Sequence, residues 1–206
     1  MMDSLIGALA AFFSLAIIAI SIENSVLTRA LEISRLISLV DETTNTFIFG
    51  ILLTTVSTLS SIFYFLFNTY VFYNWPLRIY LRPLAMVICM SMAFFLLFIF
   101  VVKFAPYEYL SKSVTALPVA TFNCTVIGSL VVSSSSTLGY TLLDSIAYGI
   151  GSSIGFVLAV LLVTEGQRWL KSRSIPPAFK GLPATLLFLA GLALAIYGLA
   201  GRTVSF

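Results

Sequence analysis

The chain has 206 residues, of which 60% are hydrophobic and only 9% are charged. Soluble globular domains carry roughly 25% charged residues, so the composition excludes a soluble domain and indicates a protein of the lipid bilayer. The net charge is only +3 and histidine is absent, which excludes a nucleic-acid surface, His-ligated metals and Ser-His-Asp triads. The two cysteines lie in apolar stretches, which argues against a secreted disulfide framework, and cannot alone supply the four thiolates of an iron–sulfur cluster.

Six apolar segments, each near the length of about 20 residues that a transmembrane helix needs, predict an all-α integral membrane protein. The first segment carries Asp3 and has no Lys or Arg before Arg29, which is unlike a cleaved signal peptide. Charge, proline or glycine bounds each segment. The six predicted spans are 4–22, 46–70, 84–104, 113–132, 142–165 and 182–200.

The basic residues indicate the orientation of these spans. With six spans both termini share one face, and most Lys and Arg residues lie in connections on the opposite face. By the positive-inside rule that face is cytoplasmic, so both termini are predicted to lie outside. The cytoplasmic set is Arg29, Arg35, Lys103, Lys112, Arg168, Lys171, Arg173 and Lys180, against Arg78, Arg82 and Arg202 on the outer face.

Residues 25–40 are a helix-like run directly after the first span, and two interpretations are open. In one, the run is an interfacial amphipathic helix in which Glu32 pairs with both Arg29 and Arg35. In the other, the first membrane element is a broken helix whose second half begins near residues 23–24.

The spacing of the spans hints at an internal repeat. The second and fifth spans, and likewise the third and sixth, begin at nearly the same distance apart in the sequence. Two halves of three helices would cross the membrane in opposite directions, which is the inverted-repeat plan of many transporters. We expect one domain over residues 1–206, with repeats of about 1–105 and 106–206, in which the first and fourth elements are equivalent.

The fourth span contains the clearest candidate for chemistry. Pro118 disturbs the helix, Asn123 offers an amide to freed backbone groups, and Cys124 lies near the middle of the span. A thiol at a helix break inside the membrane is placed to bind a soft metal such as iron. The alternative is a kinked helix with a small buried cysteine. Cys89, in an unbroken apolar run, is predicted to be a packing residue.

Several stretches resemble the RnfA/NqrE family of subunits from Rnf and Na⁺-translocating NADH:quinone oxidoreductase complexes. Close counterparts of the family patterns LPLxTxNCxxLG, SxxYGxxxxxGF and VPAPFRG stand here in the same order, with near-identical spacing: LPVATFNCTVIG, SIAYGIGSSIGF and IPPAFKG. The N-terminal residues 22–24 and 26–27 add to the resemblance. The matching stretches are 117–128, 145–156, 175–181 and 190–193.

The resemblance implies a six-helix subunit of the cell inner membrane, built as two inverted repeats with broken first and fourth helices. It also implies a paralogous partner of opposite topology, similar to RnfE/NqrD, and further complex subunits. In the family, a cysteine from each broken helix joins two from the partner to hold a [2Fe–2S] cluster that passes electrons within the membrane. Cys124 falls on the second of these cysteine positions and is the candidate iron ligand.

The first cysteine position of the family is occupied by Ser34. The family segment runs NxxLxxxLGxC, and here Glu32 stands at the glycine while Arg35 follows the missing cysteine. A serine hydroxyl is a hard ligand that is difficult to deprotonate, so Ser34 would bind iron poorly. Glu32 loses the close backbone approach that glycine permits, and the arginines Arg29 and Arg35 add charge where burial is expensive. This half of the cluster site is therefore altered.

Three functions stay open from the sequence. The first is an electron-conducting subunit of an ion-translocating complex, a non-autonomous part of a translocase in which Ser34 or another group completes the cluster. The second is a divergent subunit that keeps the fold and the assembly role without a cluster. The third is a transporter that takes a small solute into the inverted-repeat cavity. No nucleotide or flavin motif is present, so neither cofactor is expected in this chain.

Four ionisable residues lie at the ends of predicted spans, namely Glu23, Lys103, Asp144 and Glu165. Intramembrane charges are functional candidates, but these four lie near predicted interfaces, where solvation explains them. None is predicted to bind the ion.

Overall fold

A computed structural model describes residues 2–39, 43–71, 78–104, 106–134, 140–170 and 181–199 of the chain. These residues form eight α-helices and no β-strand, which confirms the all-α prediction. In chain order the helices are α1 (Met2–Ser21), α2 (Ile33–Leu39), α3 (Thr43–Tyr70), α4 (Arg78–Phe104), α5 (Tyr107–Thr121), α6 (Cys124–Ser133), α7 (Leu142–Leu170) and α8 (Leu182–Leu199).

Three helices, α3, α4 and α7, are long and apolar enough to cross a bilayer. Helices α5 and α6 meet the same criterion together, as one span bent by 44°. The apolar stretches Ile6–Ser21 of α1 and Leu182–Gly198 of α8 are shorter. The described residues thus contain three or four membrane-capable spans, and the six-span inverted repeat stays a prediction.

Helix α7 lies at the centre of the fold and packs against α1, α3, α6 and α8. Its glycines allow close approach of these neighbours. A Cβ atom added at Gly151 would lie 2.6 Å from the carbonyl oxygen of Ala16 in α1. A Cβ atom at Gly155 would lie 2.9 Å from Nδ2 of Asn24. The glycines of α7 therefore allow a close contact with α1.

The segment that follows α1 corrects the sequence interpretations. Residues 22–32 form successive turns, and α2 begins only at Ile33, so the amphipathic helix over residues 25–40 is wrong. The first element is broken, but its second helix starts later than residues 23–24. The predicted pairing of Arg29 with Glu32 is also wrong, because Arg29 forms its salt bridge with Glu23 at 3.3 Å. The Arg35 side chain lies outside the described residues.

The second helix break lies one turn beyond the proline that predicted it. Pro118 is inside α5, which continues to Thr121. The Phe122 N–H still donates to the Pro118 carbonyl at 3.0 Å, whereas Asn123 adopts an extended backbone with ψ 136° and starts α6. The break is thus positioned by the residue that caps the next helix.

Cys89 is 1% exposed and lies in the hydrophobic core. The prediction that it is a packing residue is confirmed.

Candidate functional site at the junction of two helix breaks

The break after α1 is organised by Asn24, whose side chain is fully buried. Its amide nitrogen Nδ2 donates to the carbonyls of Ile20 at 2.9 Å and Gly155 at 2.8 Å. Its oxygen Oδ1 accepts from the N–H groups of Val26 at 3.0 Å and Leu27 at 3.1 Å. An asparagine amide has two donors and two acceptor positions, and here all four are used to join α1, the turns and α7.

The break before α6 is organised in a similar way by Asn123. Its Oδ1 accepts from the Thr125 N–H at 2.7 Å, which is the usual arrangement of an asparagine N-cap. Asn123 is 1% exposed, and its Nδ2 has no hydrogen-bond partner among the described residues.

The two breaks contact each other. The Ser25 hydroxyl donates to Thr125 Oγ1 at 3.4 Å, a long bond between buried side chains. A Cβ atom at Gly128 in α6 would lie 2.9 Å from Cδ1 of Leu31. The breaks of the first and fourth elements therefore lie against each other, while their equivalence as repeats stays a prediction.

Glu32 is the residue that the first break brings to Cys124. Its Oε1 accepts from the Cys124 backbone N–H at 2.8 Å. The backbone of Glu32 has φ +59°, in the left-handed region that glycine adopts without cost. Glutamate adopts this conformation at an energetic cost, and it places a carboxylate at the N-terminus of α6, where negative charge is favourable.

The candidate iron ligands have different surroundings. Cys124 begins α6 and is exposed on the surface of the chain. Ser34 is also exposed, in the first turn of α2. Within the described residues no group of three or more His, Cys, Asp or Glu side chains is placed to hold a metal ion. As possible ligands, Cys124 offers a thiol, Ser34 a hydroxyl and Glu32 a carboxylate.

A second cluster of polar side chains lies at the end of α1. Oε2 of Glu23 accepts from the Tyr148 hydroxyl at 3.0 Å and from Arg29 at 3.3 Å. The ring of Tyr140, just before α7, lies near that of Tyr148, with centroids 6.3 Å apart and planes tilted by 33°. Burial raises the pKa of Tyr140, and the carboxylates of Glu23 and Asp144 raise it further.

Two of the acidic residues near predicted interfaces have structural roles. Asp144 and Thr141 exchange hydrogen bonds in a capping box at the start of α7, with the Thr141 N–H donating to Oδ2 of Asp144 at 3.0 Å. Glu165 forms an exposed salt bridge with Arg168 at 2.8 Å.

Sequence reasoning missed a group of buried hydroxyls between α3, α6 and α7. Oγ of Ser57 donates to the Gly149 carbonyl at 3.1 Å and lies 3.4 Å from Oγ of Ser129. Ser61, one turn further along α3, is 2% exposed. The sequence signal was a run of Ser and Thr residues at 54–61 inside an otherwise apolar span, but it does not reveal which face of α3 is buried.

The sequence motifs meet in space at this junction. At the first break, Asn24 donates a hydrogen bond to Gly155 and Glu23 accepts one from Tyr148, and both partners belong to the SxxYGxxxxxGF stretch. Glu32 accepts a hydrogen bond from Cys124 in the fourth element. The stretch 175–180 lies outside the described residues. A family model described as "Rnf-Nqr subunit, membrane protein" matches residues 12–202. The chain belongs to the Rnf-Nqr family.

Individual members of the Rnf-Nqr family are similar over different lengths. One component of the "Na(+)-translocating ferredoxin:NAD(+) oxidoreductase complex" of Acetobacterium woodii is 28% identical over 184 residues, which are 89% of this chain and 93% of that protein. A component of the "Proton-translocating ferredoxin:NAD(+) oxidoreductase complex" of Clostridium ljungdahlii is 28% identical over 193 residues, 94% and 98% of the two chains.

A component of the "Ion-translocating oxidoreductase complex" of Syntrophotalea carbinolica is 32% identical over 122 residues. That match spans 59% of this chain and 62% of the relative. This member of the Rnf-Nqr family is therefore a membrane protein. Its homologues are subunits of ion-translocating oxidoreductase complexes.

Proposed function

We propose that this chain is a membrane-embedded subunit of an ion-translocating oxidoreductase complex, paired with a paralogous subunit of opposite topology and with further complex subunits. The observation that carries the proposal is the family match over residues 12–202. The contacts between the helix breaks support it, because they use the residues of the family motifs. The names of the relatives divide between Na⁺ and proton translocation.

The proposal includes the six-span arrangement in the cell inner membrane with both termini outside. The bent pair α5 and α6 and the break between α1 and α2 support two equivalent broken elements. Irregular backbone of this kind is tolerated at membrane depth where protein or water covers it, and the fully bonded Asn24 provides such cover.

The junction residues fit a four-thiolate [2Fe–2S] cluster poorly. Cys124 is the thiol that this junction offers, since Ser34 carries a hydroxyl, a hard ligand that iron–sulfur chemistry disfavours. The Glu32 carboxylate already accepts a hydrogen bond from the Cys124 backbone N–H at 2.8 Å. A thiolate-ligated cluster is anionic, so an adjacent unligated carboxylate would repel it. We therefore favour the second of the three functions, a subunit that keeps the fold and assembly role without this cluster.

The test is anaerobic purification of the pair formed by this chain and its paralogous subunit, produced together with the rest of the complex. We expect the two subunits to co-purify in equal amounts, without stoichiometric iron and without visible iron–sulfur absorption. Recovery of this chain without the paralogous subunit, from cells that produce both, would contradict the assembly role and favour the small-solute transporter. Stoichiometric iron in the unaltered pair would restore the electron-conducting function.

A double variant provides the matched comparison for the iron measurement. Glu32→Gly with Ser34→Cys removes the carboxylate from the α6 N-terminus and returns a thiol to the family position. Ser34→Cys alone returns the thiol but keeps the carboxylate. We expect more iron in the double variant than in the single one, because only the double variant frees the Cys124 amide.

A further inference from the structure

A groove lies between α3 and α7 on the surface of the fold, near the start of α3. It is lined by α3 residues between positions 47 and 55 and by Ile154 and Val157 of α7, and its volume is about 320 Å³. The groove opens outward, since Phe47 is 69% exposed and Ile51 is 53% exposed. Within the described part of the chain, nothing covers these two side chains.

The walls of the groove are suited to an apolar occupant. Thr54 and Thr55 line it, but each hydroxyl donates to the carbonyl four residues earlier in α3, at 2.8 Å in both cases. These hydroxyls are therefore satisfied within their own helix and ask no hydrogen bond of an occupant. Gly50 adds no side chain to the groove, and Cγ2 of Val157 lies 2.6 Å from where a Cβ atom at Gly50 would be.

The length of the groove matches one leaflet of a bilayer. On α3 the lining starts one residue inside the membrane-capable segment Thr46–Tyr70 and ends at Thr55, about 12 Å further at 1.5 Å per residue. Two residues beyond Thr55, Ser57 donates directly to the Gly149 carbonyl at 3.1 Å, so α3 and α7 are in contact there. One leaflet contributes about 15 Å of hydrocarbon. A spanning helix crosses both leaflets, whereas an acyl chain enters from one interface and ends near the middle, as this groove does.

We propose that this groove binds one acyl chain of a phospholipid from the leaflet in which α3 begins. The chain is a membrane protein and both helices are membrane-capable, so the exposed apolar surface continuous with the groove faces lipid. Apolar helix surfaces gain no hydrophobic driving force in lipid, and packing decides what they bind. An acyl chain in the groove contacts α3 and α7 together and gains dispersion contacts that a flat helix face does not offer. The inference goes beyond the proposed function.

The test uses the full-length chain, reconstituted alone and together with its paralogous subunit, in vesicles of phosphatidylethanolamine and phosphatidylglycerol. The vesicles carry a trace of phosphatidylcholine with a diazirine in one acyl chain, and mass spectrometry locates the adducts after illumination.

Ile51 in the groove is compared with Ile99 of α4. Each lies five residues from an end of its membrane-capable segment, and they are 53% and 66% exposed. We expect about tenfold more label at Ile51 than at Ile99, a ratio that corresponds to about 1.4 kcal/mol.

Thr55→Phe fills the groove, and Thr69→Phe is its matched control. Both threonines are exposed residues of α3 whose hydroxyls donate to the carbonyl four residues earlier at 2.8 Å, but Thr69 does not line the groove. We expect Thr55→Phe to lower the labelling of Ile51 about tenfold, to the level of Ile99. Thr69→Phe should leave the labelling of Ile51 unchanged.

Three results would overturn the lipid site. Equal labelling of Ile51 and Ile99, or unchanged labelling of Ile51 in Thr55→Phe, would show lipid contact without a site. Loss of the label from Ile51 when the paralogous subunit is present would assign the groove to a helix of that subunit. The chain reconstituted alone gives the first two results whether or not it assembles with a paralogous subunit, so they are independent of the proposed function.

Discussion

Replacement of Asn24 by alanine should destabilise the protein more than any other single truncation of a polar side chain at the junction. The amide makes four hydrogen bonds of 2.8–3.1 Å from a fully buried position. Alanine leaves the N–H groups of Val26 and Leu27 without their acceptor. It also removes the link between α1 and the Gly155 carbonyl of α7.

The magnitude follows from these bonds. Hydrogen bonds between membrane helices average about 0.6 kcal/mol, so four bonds set a lower value of about 2.4 kcal/mol. Two buried donors without an acceptor cost about 1–3 kcal/mol each, which sets an upper value of about 6 kcal/mol. For a chain of this size, about 2–4 °C per kcal/mol corresponds to a lower melting temperature by roughly 5–24 °C.

The assay is thermal unfolding in detergent, followed by tryptophan fluorescence and by the loss of the monodisperse peak in size-exclusion chromatography. Ser21→Ala is the control, because the Ser21 hydroxyl is exposed and bonds within its own helix to the Ile17 carbonyl at 2.7 Å. We expect Ser21→Ala to unfold within about 2 °C of the unaltered chain, consistent with a surface substitution of at most about 0.5 kcal/mol. A similarly small change in Asn24→Ala would refute the role assigned to the amide.

Three further predictions concern other contacts. Gly151→Leu should prevent stable folding, because a Cβ atom alone would lie 2.6 Å from a backbone oxygen of α1; Gly7→Leu, with nothing within 4 Å, should behave normally in size-exclusion chromatography. Glu32→Ala should lower the free energy of unfolding by about 0.5–2 kcal/mol, because it removes an acceptor that caps α6. Glu32→Gln keeps an acceptor oxygen and should recover most of this stability in the same unfolding assay. Asp144→Ala should lower stability by about 0.5–2 kcal/mol through the capping box, and an unchanged melting temperature would contradict this role.

Local composition was sufficient for much of the architecture. Each apolar span can be recognised from its own residues, because burial in lipid requires a continuous run of apolar side chains and internally bonded backbone. The predicted fourth span corresponds to α5 and α6. The positions of the helix breaks were harder to predict than their existence. Pro118 lies one turn before the second break, and Asn123 determines where α6 starts.

The details of the junction depended on contacts between distant parts of the chain. Glu32 and Cys124 are 92 residues apart, and helical spacing alone suggested that Glu32 would pair with nearby arginines instead. Glu32 lies in the turns after α1 with a left-handed backbone, and its carboxylate contacts the start of α6. Motif comparison identified the unusual position but could not assign this partner.

By itself the sequence determined that this is an all-helical membrane protein with one thiol, Cys124, at a helix break. It also placed Ser34 where the family pattern has its other cysteine. Those properties follow from residue type and local order along the chain. Only the tertiary structure decided that Glu32 caps α6, that Asn24 joins α1 to α7, and that Ser57 and Ser61 face Gly149. Hydrogen bonds and steric contacts depend on which faces of the helices meet, and packing around α7 determines those faces.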